Sequence, residues 1–269
     1  MNKIEAQNLS KTLEVPATND EISRLTISFN KMLARLDEAF TAQKQFSANA
    51  AHELRTPLAV IQTNLEVFAR RETPALKDYQ EIFAMLQEQT GRLSHLAEIL
   101  LDMTGVQTVE RSERISLAAL TDEVFCDLAS VAEQKDVELI QQEGDCIITG
   151  SYLLLYRAVY NLVENAIKYN HSGGKVTVNI HLSEEITDTS ASVNYVFLEV
   201  SDTGIGIPPE YQEKIFTPFF RVDKSRSRAM GGAGLGLALV SEIVRQHNGQ
   251  VKVLESSKKG SVIAIMLPV

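Results

Sequence analysis

This chain of 269 residues has no tryptophan, few cysteines and no long apolar run. Its two cysteines, Cys126 and Cys146, lack the C-x-x-C spacing of a metal or redox site. No stretch approaches the roughly 18 consecutive apolar residues of a membrane-spanning helix, and no signal-peptide block follows Met1. We therefore expect a polypeptide that is soluble as given, with both cysteines reduced and in or near the core. A structural disulfide is the alternative.

An excess of positive charge is also absent. The net charge is −9, whereas binding to nucleic-acid phosphates requires clustered cations, so we expect no nucleic-acid partner. A hydrophobic content of 44% and a charged content of 23% are typical of soluble proteins with a packed core. The length allows roughly one to three domains.

The first half of the chain carries a heptad pattern. From Ile22 to Ala50 the apolar positions alternate steps of three and four, which predicts a long helix of a coiled coil or helical bundle. Between Ala50 and Phe68 steps of four follow one another, and such a stutter locally unwinds a supercoil. The stutter falls on His52.

His52 is predicted to point away from the apolar seam. It lies about 200° around the helix from both Ala50 and Leu54, and Thr56 shares its face. Pro57 cannot donate to the carbonyl of Glu53, which weakens the helix by about 3 kcal/mol and favours a kink. An exposed imidazole beside a bend is accessible to two partners, although a lone histidine is more often an ordinary surface residue. That ordinary interpretation applies to the remaining histidines, His95, His171, His181 and His247.

A second amphipathic helix is predicted from about Leu76 to Met103. The break at Arg70–Pro74 makes the two helices an antiparallel hairpin. Since each helix buries one stripe only, a four-helix bundle formed by two chains is the expected arrangement. A monomeric hairpin docked on the rest of the chain is the alternative.

After Arg114 the pattern becomes mixed α/β. Helices are predicted near residues 117–134, 151–170 and 234–247, and a polar loop is predicted from Glu184 to Ser192. We expect a sandwich of one sheet and a layer of helices. Its predicted strands are Val137–Ile140, Lys175–Leu182, Val193–Val200, Gln250–Leu254 and Ser261–Leu267.

Two polar clusters in this region suggest a nucleotide site. Asn161 and Asn165 lie one helical turn apart, and amide oxygens can ligate Mg²⁺ together with substrate phosphates. Asp202 follows a strand and precedes Gly204 and Gly206, where a carboxylate can accept from an adenine amino group. Surface asparagines and a glycine turn capped by Asp202 are the alternatives.

A third cluster, Gly231–Gly236, opens a predicted helix whose free N–H groups attract phosphate. It is not a P-loop, because no Gly-Lys-Ser/Thr is present. It is not a dinucleotide fingerprint either, because Leu237 occupies the third glycine position. The cationic run from Thr217 to Arg228 before it is predicted to be a mobile flap or, alternatively, a solvated surface loop.

The order of these motifs resembles that of the sensor histidine kinases of bacterial two-component systems. The resemblance begins at Asn19 and divides the chain into a partial HAMP-like helix and linker (1–42), a dimerisation and phosphotransfer hairpin (43–110) and a catalytic ATP-binding domain of the histidine kinase/gyrase type (111–269). It implies a homodimer and a response-regulator receiver domain as partners, with ATP and Mg²⁺ as cofactors. It also implies the cytoplasmic portion of a plasma-membrane protein whose membrane segment and first HAMP helix are not in this sequence.

The same resemblance implies roles for individual residues. His52 is the expected phosphoacceptor, Glu53 its acid–base partner, and Thr56 the residue that assists hydrolysis of the phosphorylated regulator. Asn165 is the expected Mg²⁺ ligand. The expected nucleotide-binding residues are Asn161, Asn165, Lys168, Tyr169, Asp202, Gly204, Gly206, Arg221, Gly232, Gly234 and Gly236.

The implied function is autophosphorylation of His52 from Mg-ATP and transfer to a regulator aspartate, with phosphatase activity toward that regulator. The junction near Gly105–Arg114 is expected to act as a hinge. One alternative is an ATP-hydrolysing conformational switch of the gyrase or chaperone type. Such proteins place a glutamate where Asn161 stands, which disfavours this alternative. The other is a non-catalytic dimeric signalling scaffold.

Overall fold

The architecture is taken from a computed structural model that describes residue 13 and residues 21–105, 109–142, 144–186, 192–222 and 233–269. The chain forms two compact units that divide between Met85 and Leu86. The first is helical, and the second contains the sheet.

Two long helices form a hairpin, and the boundary between the two units falls within the second helix. Helix α1 runs over Glu21–Ala69 without interruption at Pro57, and α2 covers Leu76–Gly105, as the heptad pattern predicts. At about 1.5 Å per residue, α1 is about 74 Å long. An ion pair between Arg71 and Asp78 and an edge-to-face contact of Phe68 with Tyr79 at 5.1 Å close the hairpin.

The second unit is an α/β sandwich, which confirms the predicted fold class. Its strands are β1 (Glu113–Ser116), β2 (Val137–Gln141), β3 (Ile147–Gly150), β4 (Gly174–Ile186), β5 (Ser192–Asp202), β6 (Gln250–Ser257) and β7 (Gly260–Pro268). The main sheet has the order β2-β4-β5-β7-β6, with β2 and β4 parallel and the other pairs antiparallel. Strands β1 and β3 form a separate antiparallel pair.

Three helices of the second unit, α3 (Leu117–Gln134), α4 (Tyr152–Lys168) and α5 (Gly236–Gln246), contribute buried apolar residues to its core. Alternate residues of β4 and β5 are buried with them, which is the period-two pattern of a sheet with one covered face. These strand residues are Val176, Val178, Ile180, Val196, Leu198 and Val200.

Two predictions about this region were wrong, and two short strands were not predicted. The loop predicted from Glu184 is strand as far as Ile186, because antiparallel pairing with Ser192–Asn194 satisfies the backbone of a polar segment. Strands β1 and β3 were missed because four residues are too few to show a period. Cys146 is buried as expected, and its burial and, to a lesser extent, the charge of Asp145 raise the pKa of its thiol. Cys126, in contrast, is exposed on α3.

Candidate functional site

A cavity of about 480 Å³ lies within the second unit, which is the size of a small-molecule pocket. One part of its wall is aliphatic and suits a flat, weakly polar ring. That part consists of Leu162, Val200, Ile205, Ile207, Ile215, Leu235 and Ile263. The lining also includes polar and charged side chains, among them Asn161, Asn165, Lys168, Asp202 and Arg221, so the cavity can contact both apolar and polar groups of a ligand.

The polar wall is built largely from one face of α4. Asn161, Asn165 and Lys168 repeat at helical spacing along it, and Tyr169 follows the last turn. The side-chain nitrogen of Asn161 donates to the Arg157 carbonyl at 2.8 Å, and that of Asn165 donates to the Asn161 carbonyl at 2.8 Å. These bonds fix both amides with their oxygens, the atoms that can ligate a hard cation, directed away from the helix backbone.

Asp202 ends β5 and lines the cavity. One carboxylate oxygen accepts from the Gly204 amide at 2.7 Å and the other from the Ser261 hydroxyl at 2.8 Å. Burial raises the pKa of Asp202, and the hydrogen bonds from Ser261 and Gly204 oppose that shift. The backbone of Ser261 also donates to this carboxylate. A carboxylate has about four lone-pair sites, so Asp202 can still accept a hydrogen bond from a ligand.

The glycines are required by the protein's own packing. Gly206 has φ +70°, and a Cβ there would lie 1.8 Å from the Ser257 carbonyl oxygen. A Cβ on Gly236 would lie 2.5 Å from the Asn161 side-chain oxygen, so this glycine lets the first turn of α5 approach α4. A Cβ on Gly204 would likewise collide with the backbone of Tyr169. These glycines shape the cavity by allowing close approach of neighbouring chain segments.

Two cationic residues, Lys168 and Arg221, line the cavity. Burial lowers the pKa of Lys168, Glu164 raises it, and the nearby Arg221 and Arg92 lower it further, as does Lys135. Gly234 lines the cavity before α5. Gly232 and the cations Lys224, Arg226 and Arg228 lie outside the described residues.

The predicted phosphoacceptor region belongs to the first unit. His52 and Thr56 are exposed on α1, as the helical geometry predicts, and Glu53 is half-buried. The Thr56 hydroxyl donates to the His52 carbonyl at 3.1 Å, next to the Glu53 carbonyl that Pro57 leaves without its helical N–H. The structure therefore presents the His52 imidazole on the surface of its unit.

Sequence reasoning missed several residues of the pocket. Ser261 reaches Asp202 because β5 and β7 pair in a register that places the two opposite each other. Ile99 of α2 and His95, which is exposed as predicted, also line the cavity. His247 is buried, which contradicts the surface interpretation; its Nδ1 bonds the Ile243 carbonyl at 2.8 Å and its Nε2 accepts from the Ser151 amide at 3.1 Å. These contacts join residues far apart in the chain, so no periodic pattern in the sequence predicts them.

Comparison with known families assigns three regions of the chain. Residues 150–269 match the histidine kinase-, DNA gyrase B- and HSP90-like ATPase family, and residues 42–108 match the His Kinase A (phospho-acceptor) domain. Residues 1–38 match the HAMP domain. The chain belongs to the two-component sensor histidine kinases. The cavity described above accordingly belongs to an ATP-binding domain.

Comparison of this chain with curated relatives agrees with the assignment. It is 35% identical over 238 residues to the sensor histidine kinase RppB of Synechocystis, covering 86% of this chain and 50% of that protein. It is 30% identical over 271 residues to CusS of Escherichia coli, covering 100% of this chain and 54% of that protein. The chain thus spans about half the length of the curated relatives that it matches.

Solved structures show the same fold. The Acinetobacter baumannii histidine kinase AdeS superposes with a TM-score of 0.60 at 23% identity, covering 81% of this chain and 97% of that one. Histidine kinase ThkA, in complex with the response regulator protein TrrA, superposes with a TM-score of 0.64 at 22% identity, covering 93% and 68%. Within the described part of this histidine kinase, no helix has both the length and the apolarity to cross a bilayer.

Proposed function

We propose that this chain is an ATP-dependent protein-histidine kinase that phosphorylates His52 and passes the phosphoryl group to an aspartate of a response regulator. The observation that carries the proposal is the presence, in one chain, of an exposed histidine in a phospho-acceptor region and of a cavity lined by aliphatic side chains, an acceptor carboxylate and two cations.

In the first reaction, an imidazole nitrogen of His52 attacks the γ-phosphorus of ATP. A P–N bond forms, the bond from phosphorus to the bridging oxygen breaks, and ADP leaves with that electron pair. Glu53 orients the ring and takes its proton, a role that suits its place beside His52 in the sequence. We propose that the phosphotransfer hairpin and the ATP-binding domain move relative to each other during this reaction. The proposed hinge is the 105–114 junction, of which residues 106–108 lie outside the described part of the chain.

Different residues of the pocket contact different parts of the nucleotide. Asp202 accepts from the adenine amino group between aliphatic walls, and Lys168 and Arg221 contact the phosphates. The amide N–H groups at the start of α5 add a positive end to that phosphate region. The described residues contain no cluster of three or more His, Cys, Asp or Glu that could hold a metal alone. Asn165 oxygen together with phosphate oxygens nevertheless fits Mg²⁺, which would offset charge on the leaving diphosphate.

The second reaction moves the phosphoryl group from His52 to a receiver-domain aspartate, whose carboxylate oxygen displaces the imidazole nitrogen. Thr56 lies one turn from His52 on the same exposed face, where it can orient water for hydrolysis of the phosphorylated regulator. ThkA is known in complex with a response regulator, which supports this class of partner. The kinase and phosphatase activities therefore share one surface of α1.

We also propose a homodimer anchored at a membrane. Large apolar side chains of α1 remain exposed in the single chain, which a four-helix bundle would cover. Among them are Ile22, Leu25, Met32, Leu36 and Phe40. The HAMP region and the sensor-kinase relatives support attachment to a membrane, and the domains proposed are residues 1–42, 43–110 and 111–269.

Incubation with γ-labelled ATP tests the proposal. We expect acid-labile, alkali-stable label on the wild type, loss of that label in His52→Gln, and an unchanged level in His171→Gln, whose side chain is likewise exposed. Release of free phosphate without labelled protein would instead identify an ATPase of the gyrase or chaperone type. Binding of ATP with neither label nor phosphate release would identify a scaffold.

A further inference from the structure

Helices α4 and α5 run antiparallel, side by side. Gly236 at the start of α5 lies against Asn161, since a Cβ on this glycine would be 2.5 Å from the Asn161 side-chain oxygen. At the opposite ends of the two helices, Nε2 of His247 accepts from the Ser151 amide at 3.1 Å. The 11 residues of α5 rise by about 1.5 Å each, so about 16 Å separates the two contacts. The helix pair therefore has one end at the nucleotide pocket and the other end about 16 Å away.

The end that is distant from the pocket is fastened to the junction between the hairpin and the ATP-binding domain. Nη2 of Arg111 donates to Oε1 of Gln246, the last residue of α5, at 3.1 Å. The carboxylate of Glu113 accepts from the amide of Tyr152, the first residue of α4, at 2.7 Å. Strand β1 begins at Glu113 and pairs this residue with Gly150, just before α4. Two junction residues thus bond to both helices.

Each of the two side chains carries the charge that its helix end favours. The C-terminus of a helix attracts a cation, and Arg111 bonds to that of α5. The N-terminus of a helix attracts an anion, and Glu113 bonds to that of α4. Gln246 is itself held in place, because its side-chain nitrogen donates to Glu242 at 2.9 Å. Both bonds are charge-assisted, which strengthens them, and they act together on one short segment.

We infer that Arg111 and Glu113 are positioning residues of the phosphoryl transfer, which make the chain from Arg111 onward move as one body with the α4–α5 pair. The inference rests on the proposed kinase function and deepens it. The pocket end of this pair carries Asn161 and Gly236, so the two bonds fix the direction in which the chain leaves the nucleotide pocket.

This fixed direction limits where the bound nucleotide can go. A connection with fewer free residues confines the γ-phosphate to fewer orientations relative to His52, which raises the population of the reactive one. Arg111 and Glu113 do not line the cavity themselves. Their loss should therefore slow the transfer of the phosphoryl group and leave the affinity for ATP unchanged.

The test is the double variant Arg111→Ala with Glu113→Ala in the full chain. The initial rate of His52 labelling at saturating γ-labelled ATP is expected to fall about fivefold, because residues 111 and 112 join the free connection. Competition of ATP against a fluorescent adenine nucleotide should give the wild-type affinity. Hydrogen exchange at the Tyr152 amide should become faster, since that amide loses its acceptor.

Two further variants complete the comparison. Arg111→Lys with Glu113→Gln keeps a donor and an acceptor at these positions, so it should recover part of the labelling rate. Arg114→Ala with Glu133→Ala removes one exposed charge of each sign from the same unit and is the matched control. Its labelling rate and its ATP affinity should both equal those of the wild type.

Two results would overturn the inference while leaving the kinase proposal intact. One is a variant without Arg111 and Glu113 side chains that labels His52 as fast as the wild type does. The other is a parallel loss of labelling rate and ATP affinity, which would mean that the two residues only maintain the fold of the domain. A wild-type chain that binds ATP but acquires no label on His52 would contradict the kinase proposal and this inference together.

Discussion

The hydroxyl of Ser261 donates to Oδ2 of Asp202 at 2.8 Å, joining residues that face each other across β7 and β5. The bond supports a carboxylate whose pKa burial has raised. It favours the ionised form, which is the better acceptor for a ligand N–H group.

Replacement of Ser261 by alanine should therefore weaken ATP binding. We expect about a fivefold loss at pH 7.5, corresponding to about 1 kcal/mol for one hydrogen bond. The loss should grow as the pH falls, because Asp202 without this donor takes up a proton at a higher pH. Equilibrium competition with a fluorescent nucleotide at two pH values measures both effects. Ser112→Ala, at an exposed serine, is the control, and a loss independent of pH would contradict the proposed role.

Gly206→Ala should destabilise the second unit by about 3 kcal/mol or more. The substituted residue would be held at φ +70°, with its Cβ 1.8 Å from the Ser257 carbonyl oxygen. Tyrosine fluorescence can follow the unfolding of this unit in urea, because six of the seven tyrosines lie between Tyr152 and Tyr211.

Gly91→Ala is the matched control for that experiment. Gly91 is helical, and nothing lies within 4 Å of an added Cβ. Alanine there should stabilise α2 by about 0.5–1 kcal/mol, since it restricts the unfolded chain. Equal midpoints for Gly206→Ala and wild type would show that the 204–207 segment can shift to accept a side chain.

Stability of the second unit should fall in mildly acidic solution because of His247. Burial lowers its pKa below the ordinary 6.5, the bond to the Ile243 carbonyl opposes the shift, and Arg111 adds to it. The unfolded chain then binds a proton more readily than the folded one, so stability is fully present above pH 6.5 and declines as the pH falls below it.

Urea midpoints at pH 7.5 and 5.5 measure this dependence. His247→Asn should lower the midpoint at pH 7.5, because Ser151 loses its acceptor, and should reduce the difference between the two pH values. His171→Ala, at an exposed histidine of the same unit, should retain the full difference. A pH difference unchanged in His247→Asn would assign it to other groups.

The ion pair between Asp102 and Arg157 should hold the end of α2. Asp102→Asn is expected to speed hydrogen exchange of residues 96–103 about fivefold, corresponding to about 1 kcal/mol for a partly screened pair. Exchanging the two charges by Asp102→Arg with Arg157→Asp should recover part of the protection. Breaking the exposed Lys77–Glu81 pair with Lys77→Ala should leave this segment unaffected.

Much of the fold could be predicted from local pattern. The apolar period predicted α1 and α2, and strand-like runs of residues predicted the five strands of the main sheet, because both patterns reflect local backbone geometry. The polar ends of β4 and β5 were missed, since pairing between strands can extend a ladder that side-chain pattern does not mark. The same limit hid β1 and β3.

By itself the sequence determined that His52 faces outward from its helix and that Asn161, Asn165 and Lys168 share a face, because residues one turn apart on a helix are neighbours whatever surrounds them. Tertiary structure alone decided that Ser261 supports Asp202, that His247 is buried, and that α2 lines the cavity beside Lys168. Those relationships depend on strand register and helix packing, which join residues far apart in the chain and leave no periodic trace in it.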